Sequence, residues 1–238
     1  MIFGGLVKQS LVDYPGEIAA VLFTRGCNLR CPFCQNVHLL VRPGSIDKGP
    51  SVPLEEIIAF LAERKGFLDA VVISGGEPTL HPELPDFIRE VKDLGYLVKL
   101  DTNGSHPPML EGLLAANLLD YVAMDIKAPL EFKAYQEACG KLSLEDFFRI
   151  RSSLRLLLSA TVQVEFRTTV VPCLHSPDDI MEIAEYIKGA PLYTLQQFNP
   201  ASTLDTGYGE EIPYSKQEMN ELAEKVAPLV QRVRVVNI

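Results

Sequence analysis

The chain has 238 residues, 47% hydrophobic and 22% charged with 16 Gly and 17 Pro, a composition that excludes the disordered and collagen-like classes and matches ordinary soluble globular proteins. That length accommodates one large α/β domain with a core of its own. A formal net charge of −9 argues against non-specific binding to nucleic acid or anionic lipid.

Met1 to Val21 carries one Lys and no long apolar run before a small-residue cleavage site, so it does not read as a signal peptide. No stretch approaches the roughly 18 apolar residues of a membrane span. The expected compartment is the cytoplasm, where closely spaced cysteines are more often metal ligands or catalysts than disulfides. Five cysteines, an odd number, agree with that.

The apolar run Ile18 to Phe23 predicts a buried strand, followed by a long Gly- and Pro-punctuated segment. Pro53 is expected in the first turn of a helix with Leu54, Ile57, Ile58 and Leu61 on one face. Ala70 to Ile73 then reads as a strand, Leu84, Phe87, Ile88 and Val91 mark a helix face, and Leu97 to Leu100 is the next strand. The pattern continues with a helix near Met109 to Asn117, a strand at Tyr121 to Met124, helical segments within Leu130 to Leu158, and a long strand from Gln163 to Val171. Helix Asp178 to Lys188 and strand Leu192 to Phe198 follow. Helix Ser215 to Ala227 and a short strand, Val233 to Val236, occupy the C-terminal stretch of about 213–238.

Six βα repeats imply a parallel sheet with right-handed crossovers. The expected fold class is α/β, a single domain over 1–238 built as a partial (βα)6 barrel of parallel strands, in preference to an open doubly wound sheet. In either architecture ligands gather at the carboxyl ends of strands. The polar and Gly-rich clusters all follow strands: a loop at about 24–36, Ser74 to Thr79, Asp101 to Ser105, and Asp125 to Lys127.

Cys27, Cys31 and Cys34 put three thiols within eight residues of that first loop. Three cysteines leave one iron of a [4Fe–4S] cluster open to an exogenous ligand. The alternative is a structural zinc site completed by Cys139, Cys173 or His38, or thiols that bind no metal. Gly75-Gly76-Glu77-Pro78 follows the second strand; its glycines allow either close approach to a ligand or a tight strand-to-helix turn.

The Cys-x3-Cys-x2-Cys spacing, with Phe33 before the last Cys and the Gly-Gly-Glu-Pro motif one strand later, resembles radical S-adenosylmethionine (SAM) enzymes. Leu11-Val12-Asp13-Tyr14-Pro15-Gly16, Asp101-Thr102-Asn103-Gly104, Met124-Asp125-Ile126-Lys127 and Phe166-Arg167 with Val170-Val171-Pro172 extend the resemblance to the activating enzymes of glycyl radical enzymes. It covers about Gly5 to Gln197 and is closest to the activases of anaerobic ribonucleoside-triphosphate reductase. One departure is Gln35-Asn36 where many activases have His-Asn, so no role of that His carries over.

The resemblance implies a [4Fe–4S] cluster on Cys27, Cys31 and Cys34, with SAM chelating the open iron. It also implies a glycyl radical enzyme as protein substrate and a flavodoxin- or ferredoxin-like electron donor. Gly75, Gly76 and Glu77 are then expected at the methionine ammonium, and Asp101, Thr102, Asn103 and Asp125 at the ribose, ammonium or a cation. Lys127 and Arg167 are expected at the carboxylate, with Phe33 against the cluster or adenine. Each carries a plain alternative: a helix cap for the aspartates, an outward side chain for Arg167, the core for Phe33. Cys139 and Cys173 are expected as buried apolar-like residues, His38 and His175 as surface or core residues, and Gln196 to Pro200 as lining of a substrate opening. The competing functions are a radical enzyme acting on a small molecule or nucleotide, and a non-catalytic iron–sulfur or zinc protein.

Overall fold

The computed structural model describes Met1–Leu40 and Ser51–Ile238. Part of the Gly- and Pro-punctuated segment, residues 41–50, lies outside the described residues. The strands are β1 (Phe3–Ser10), β2 (Ala19–Thr24), β3 (Ala70–Gly75), β4 (Leu97–Thr102), β5 (Tyr121–Asp125), β6 (Gln163–Val170), β7 (Tyr193–Gln197) and β8 (Val233–Val236). The helices are α1 (Leu54–Glu63), α2 (Leu84–Asp93), α3 (Pro107–Ala115), α4 (Phe132–Cys139), α5 (Leu144–Leu158), α6 (Pro177–Tyr186) and α7 (Lys216–Val226).

The sheet keeps the strands in chain order, β1 through β8. β1 is antiparallel to β2, whereas the pairs β2/β3, β3/β4, β6/β7 and β7/β8 are parallel. This is the parallel α/β class expected of a partial (βα)6 barrel, with β1 added at its edge. No helix among the described residues is long and apolar enough to cross a membrane.

The chain gathers into two compact units. The first comprises Met1–Cys27, His38–Thr102 and Pro108–Val122. Here Ala19 to Leu22 and Ala70 to Ile73 are fully buried, the continuous apolar runs of parallel strands covered on both faces. α2 buries Leu84, Phe87, Ile88 and Val91, the face predicted from the 3.6-residue period, and Phe87 packs on Phe3 with ring centroids 5.0 Å apart. β1 escaped the sequence reading because Val7, Lys8 and Gln9 are all exposed, which leaves neither an apolar run nor an alternation. Pro53 caps α1 from outside rather than entering its first turn: its ψ of 142° is extended.

The second unit comprises Asn28–Val37, Asn103–Pro107 and Ala123–Ile238. Helix starts are set locally. Ser176 and Asp179 form a capping box at α6, as do Ser215 and Glu218 at α7, each satisfying backbone N–H groups that the first turn leaves unpaired. Glu165 is fully buried and accepts from Thr194 Oγ1 at 2.5 Å and Arg234 Nη2 at 2.6 Å, which ties β6 to β7 and β8. A buried carboxylate requires such partners.

The buried face of α2 sets a simple expectation. Ile88→Ala lowers the unfolding free energy by about 2–5 kcal/mol in urea titration, because it leaves a cavity. Arg89→Ala, on the exposed side of the same helix, changes it by about 0.5 kcal/mol or less. Equal losses at both positions would contradict the assignment of the face.

Candidate functional site

In the first unit the exits of β2 and β3 are packed backbone to backbone. Gly75 has φ +116°, and a Cβ there would collide with the Thr24 backbone; a Cβ on Gly76 would collide with the carbonyl of Gly26. Gly76 N–H donates to Thr24 O at 2.9 Å and Glu77 N–H to Gly26 O at 2.8 Å. Both glycines therefore have a packing reason, and the contact fixes the residue just before Cys27. Glu77 is fully buried: its Oε1 accepts from Thr79 N–H (3.1 Å), Thr79 Oγ1 (2.5 Å) and Thr102 Oγ1 (2.7 Å). Two expected site residues, Glu77 and Thr102, thus meet directly.

Asp101 accepts from Ser74 Oγ at 3.0 Å and lies 3.4 Å from the ammonium of Lys99. Lys99 is a buried lysine that the sequence reading passed over. Its Nζ also donates to Asp13 O at 2.5 Å and stands 5.2 Å from the Tyr121 ring centroid. Tyr14 packs edge-on against Tyr121, and burial, with Asp120 and Glu17 nearby, pushes its hydroxyl up to about 12. The Leu11–Gly16 motif is thereby anchored to β4 through Lys99.

The second unit holds the rest of the cysteine loop. Cys34 N–H donates to Cys31 O at 3.0 Å in a tight turn, and Phe33 is buried. The loop is fastened by Arg30 N–H to Cys139 O (2.9 Å), Asp205 N–H to Pro32 O (2.9 Å), Asn103 Nδ2 to Asn28 Oδ1 (3.1 Å) and Gln35 Nε2 to Asn199 O (3.1 Å). Gly140, at φ +67°, closes α4 where any Cβ would strike Arg30 O. Cys139 is buried as expected, but it also hydrogen-bonds the Cys31 sulfur. That bond, helped by Lys127, outweighs burial and lowers the Cys31 thiol toward the thiolate, whereas burial pushes Cys34 up. Cys173 is exposed, contrary to expectation, because it sits in the turn after β6. His38 is exposed.

At the ends of β5 and β6, Asp125 accepts from Lys127 Nζ at 2.8 Å and Arg167 Nε at 2.9 Å. Burial alone would raise the Asp125 carboxyl; Arg167 and Lys127 outweigh it and hold it down at about 2. Burial likewise opposes the charge on Lys127, yet Asp125 and Cys31 keep it above its ordinary range. The Lys127 backbone is held from both sides. Its N–H donates to Tyr135 Oη at 3.1 Å, and its carbonyl lies 2.9 Å from His175 Nε2. His175 Nδ1 accepts from Val171 N–H at 2.9 Å, so Nε2 carries the proton and donates to Lys127. Burial lowers the His175 pKa and keeps the ring neutral. Neither His175 nor Tyr135 sits in a motif, and only the fold reveals their roles.

The donor set fits an iron–sulfur cluster: Cys31 is biased toward the thiolate that ligation needs, and Lys127 acts on both Cys31 and Cys34. Among the described residues no three His, Cys, Asp or Glu side chains converge on one metal ion. In a [4Fe–4S] cluster each thiolate takes an iron of its own. Asp125, Lys127 and Arg167 together keep one net positive charge, which fits an anionic group such as a carboxylate.

Comparison with known proteins follows the same line. A model of the radical SAM superfamily matches residues 21–187. A protein of Methanocaldococcus jannaschii with the provisional name of glycyl-radical enzyme activating enzyme is 36% identical over 100% of this chain and 96% of its own. The pyruvate formate-lyase-activating enzyme of Clostridium pasteurianum is 31% identical over 86% of this chain and 84% of its own. Among solved structures, SuiB of Streptococcus suis bound to precursor peptide SuiA superposes with a TM-score of 0.69 at 16% identity, covering 91% of this chain and 48% of that one. TYW1 with a lysine-pyruvate adduct gives 0.62 at 18% identity, covering 88% and 73%. At such identities the structures speak for the fold.

The pairing of Asp125 has a measurable acid signature. With its carboxyl at about 2 in the folded state and at its ordinary 3.8 unfolded, the group contributes about 2 kcal/mol above pH 4, which is lost as pH falls through about 2. Asp125→Asn removes this contribution and leaves Lys127 and Arg167 without their carboxylate. It is expected to lower stability at pH 7 by at least that amount and to flatten the pH dependence of unfolding between pH 4 and 2, measured by chemical denaturation. An unchanged acid limb would show that the pair contributes nothing.

Proposed function

This chain belongs to the radical SAM superfamily and, within it, to the glycyl-radical enzyme activating group, and on that premise we propose that it installs the radical on a glycyl radical enzyme. The observation that carries the reading is Lys127. One ammonium acts on Cys31, Cys34 and Asp125, so two expected cluster ligands and an expected cofactor-carboxylate site share one electrostatic environment.

Cys27, Cys31 and Cys34 would hold a [4Fe–4S] cluster, leaving one iron for the methionine end of SAM. Held there, the cluster would supply the one-electron reduction that cleaves the sulfonium of SAM to methionine and a 5′-deoxyadenosyl group able to take a hydrogen atom from a partner glycine. The chain's own residues bind and orient. Lys127 and Arg167 would meet the methionine carboxylate, Arg167 with the geometry suited to a paired contact. Glu77, with Gly75 and Gly76, would serve the ammonium; Asp101, Thr102 and Asn103 the ribose; and Phe33 the cluster side of the loop. A flavodoxin- or ferredoxin-like protein would deliver the electron in the reducing cytoplasm. The resemblance that runs from about Gly5 to Gln197 favours anaerobic ribonucleoside-triphosphate reductase as the partner. The relative from Clostridium pasteurianum favours a pyruvate formate-lyase-type partner, so both belong in the test.

Anaerobic reconstitution is expected to give a brown protein with about four iron and four sulfide per chain, and Cys27→Ala, Cys31→Ala and Cys34→Ala to remove it. Reduced enzyme with SAM and the partner should give a glycyl doublet in electron paramagnetic resonance. Colourless zinc protein after reconstitution, or efficient turnover of a small metabolite with no doublet on either partner, would overturn the reading.

A second expectation concerns Lys127. Lys127→Met weakens SAM binding by about 1.5–3 kcal/mol, roughly tenfold to a hundredfold in equilibrium dialysis, because a charge-assisted contact is lost. Retained affinity would remove Lys127 from the carboxylate site.

A further inference from the structure

Lys99 is a buried charge that the proposed chemistry leaves unused. Its side chain is only 3% exposed, whereas that of Asp101, two residues further along β4, is 12% exposed. Residues two apart on a strand share a face, and Asp101 stands nearer the carboxyl end, where ligands gather in parallel sheets. A ligand at that end could meet the carboxylate, but the ammonium lies one layer further in.

The ammonium is seated on three sides. It lies 3.4 Å from Asp101 Oδ1, donates to Asp13 O at 2.5 Å and stands 5.2 Å from the centroid of the Tyr121 ring, which Tyr14 meets edge-on at 5.5 Å. The turn that carries the Asp13 carbonyl is itself pinned, because Ser10 Oγ accepts from Val12 N–H at 3.2 Å and Asp13 N–H at 3.3 Å. On the other carboxylate oxygen, Asp101 Oδ2 accepts from Ser74 Oγ at 3.0 Å across the β3/β4 pair. One contact on each oxygen fixes the plane of the carboxylate. A buried ammonium is a costly way to fill this place, since apolar residues of similar volume do so without losing hydration. What an apolar residue cannot do is hold a carboxylate in one orientation at a strand end.

We infer that Lys99 is a positioning residue for SAM: through Asp101, and without touching the ligand, it presents a fixed carboxylate to the ribose hydroxyls and makes binding depend on them. The inference rests on the reading of Asp101 as a ribose contact given above and adds the residue that makes this contact selective. A carboxylate free to turn would satisfy itself with water when a hydroxyl is missing. One held in place would be left with an unpaired acceptor, which is how a polar site rejects a ligand lacking the matching group.

The test compares SAM with its 2′-deoxy and 3′-deoxy forms by equilibrium dialysis against the reconstituted enzyme under anaerobic conditions. Wild type is expected to bind at least one deoxy form about tenfold more weakly than SAM, and Lys99→Met to bind all three within about twofold of one another. Asp101→Asn should also lose the discrimination, and adding Lys99→Met to it should change nothing more, because both substitutions remove one contact. A merely structural role would weaken all three ligands alike and preserve their ratio. Urea titration checks folding. Ser74→Ala strands no charge, is expected to reduce the discrimination in the same direction, and takes the place of Lys99→Met should that variant not fold. No discrimination by wild type, or discrimination undiminished in Lys99→Met or in the variant that replaces it, would overturn the inference. Discrimination lost in the variant, with no glycyl doublet from wild type, would leave this inference standing while the activase reading falls. A doublet from wild type with discrimination undiminished in the variant would do the reverse.

Discussion

Burying charge is the constraint around which the second unit is arranged. Asp125 at the end of β5 stays ionised only because Lys127 and Arg167 stand within hydrogen-bond distance, and removing either partner would strand a charge in a poorly hydrated place. The group as a whole keeps one net positive charge inside a chain whose formal total is −9. The Cys139 hydrogen bond, helped by Lys127, biases Cys31 toward the thiolate, and the local reversal of sign suits an anionic group. Strand ends, cysteine loop and helix α4 are thus coupled through one electrostatic balance rather than assembled independently.

The first unit solves a different problem, how two parallel strands can leave a sheet side by side. Gly75 and Gly76 let the exits of β2 and β3 touch through their backbones, and Glu77 then uses a single oxygen to gather Thr79 and Thr102. A motif commonly read as a ligand contact is here also a splice between strand ends. The two roles are compatible, because whatever holds the chain before Cys27 also decides where that thiol begins.

Much of this was legible in the sequence, for physical reasons that differ by element. The parallel strands announce themselves because burial on both faces demands unbroken apolar runs, as at Ala70 to Ile73, and α2 because its buried face repeats at helical period. The cysteine, Gly-Gly-Glu-Pro and Met-Asp-Ile-Lys motifs were legible because their spacing is specific. β1 was not, since a strand exposed along three consecutive residues has no pattern to show. The roles of Lys99, Cys139, Gly140 and His175 were hidden for another reason: each acts on a residue distant in sequence, and nothing local marks it; Tyr135 reaches back eight residues to Lys127 with no motif to mark it. Cys173 shows the converse error, where a statistical preference for burial gave way to a surface turn.

The clamp on Lys127 has a thermodynamic consequence. A flexible lysine-bearing strand end would lose backbone freedom whenever a ligand engaged it, at roughly 1–2 kcal/mol per residue ordered. Tyr135 and His175 have already fixed the peptide groups on either side, so that entropy is surrendered once, during folding. Association of an anionic group with the Lys127 ammonium would therefore be preorganised. Its free energy would be left to the electrostatic contact itself, and variation in the imidazole or the phenol would retune affinity without either ring approaching the anion.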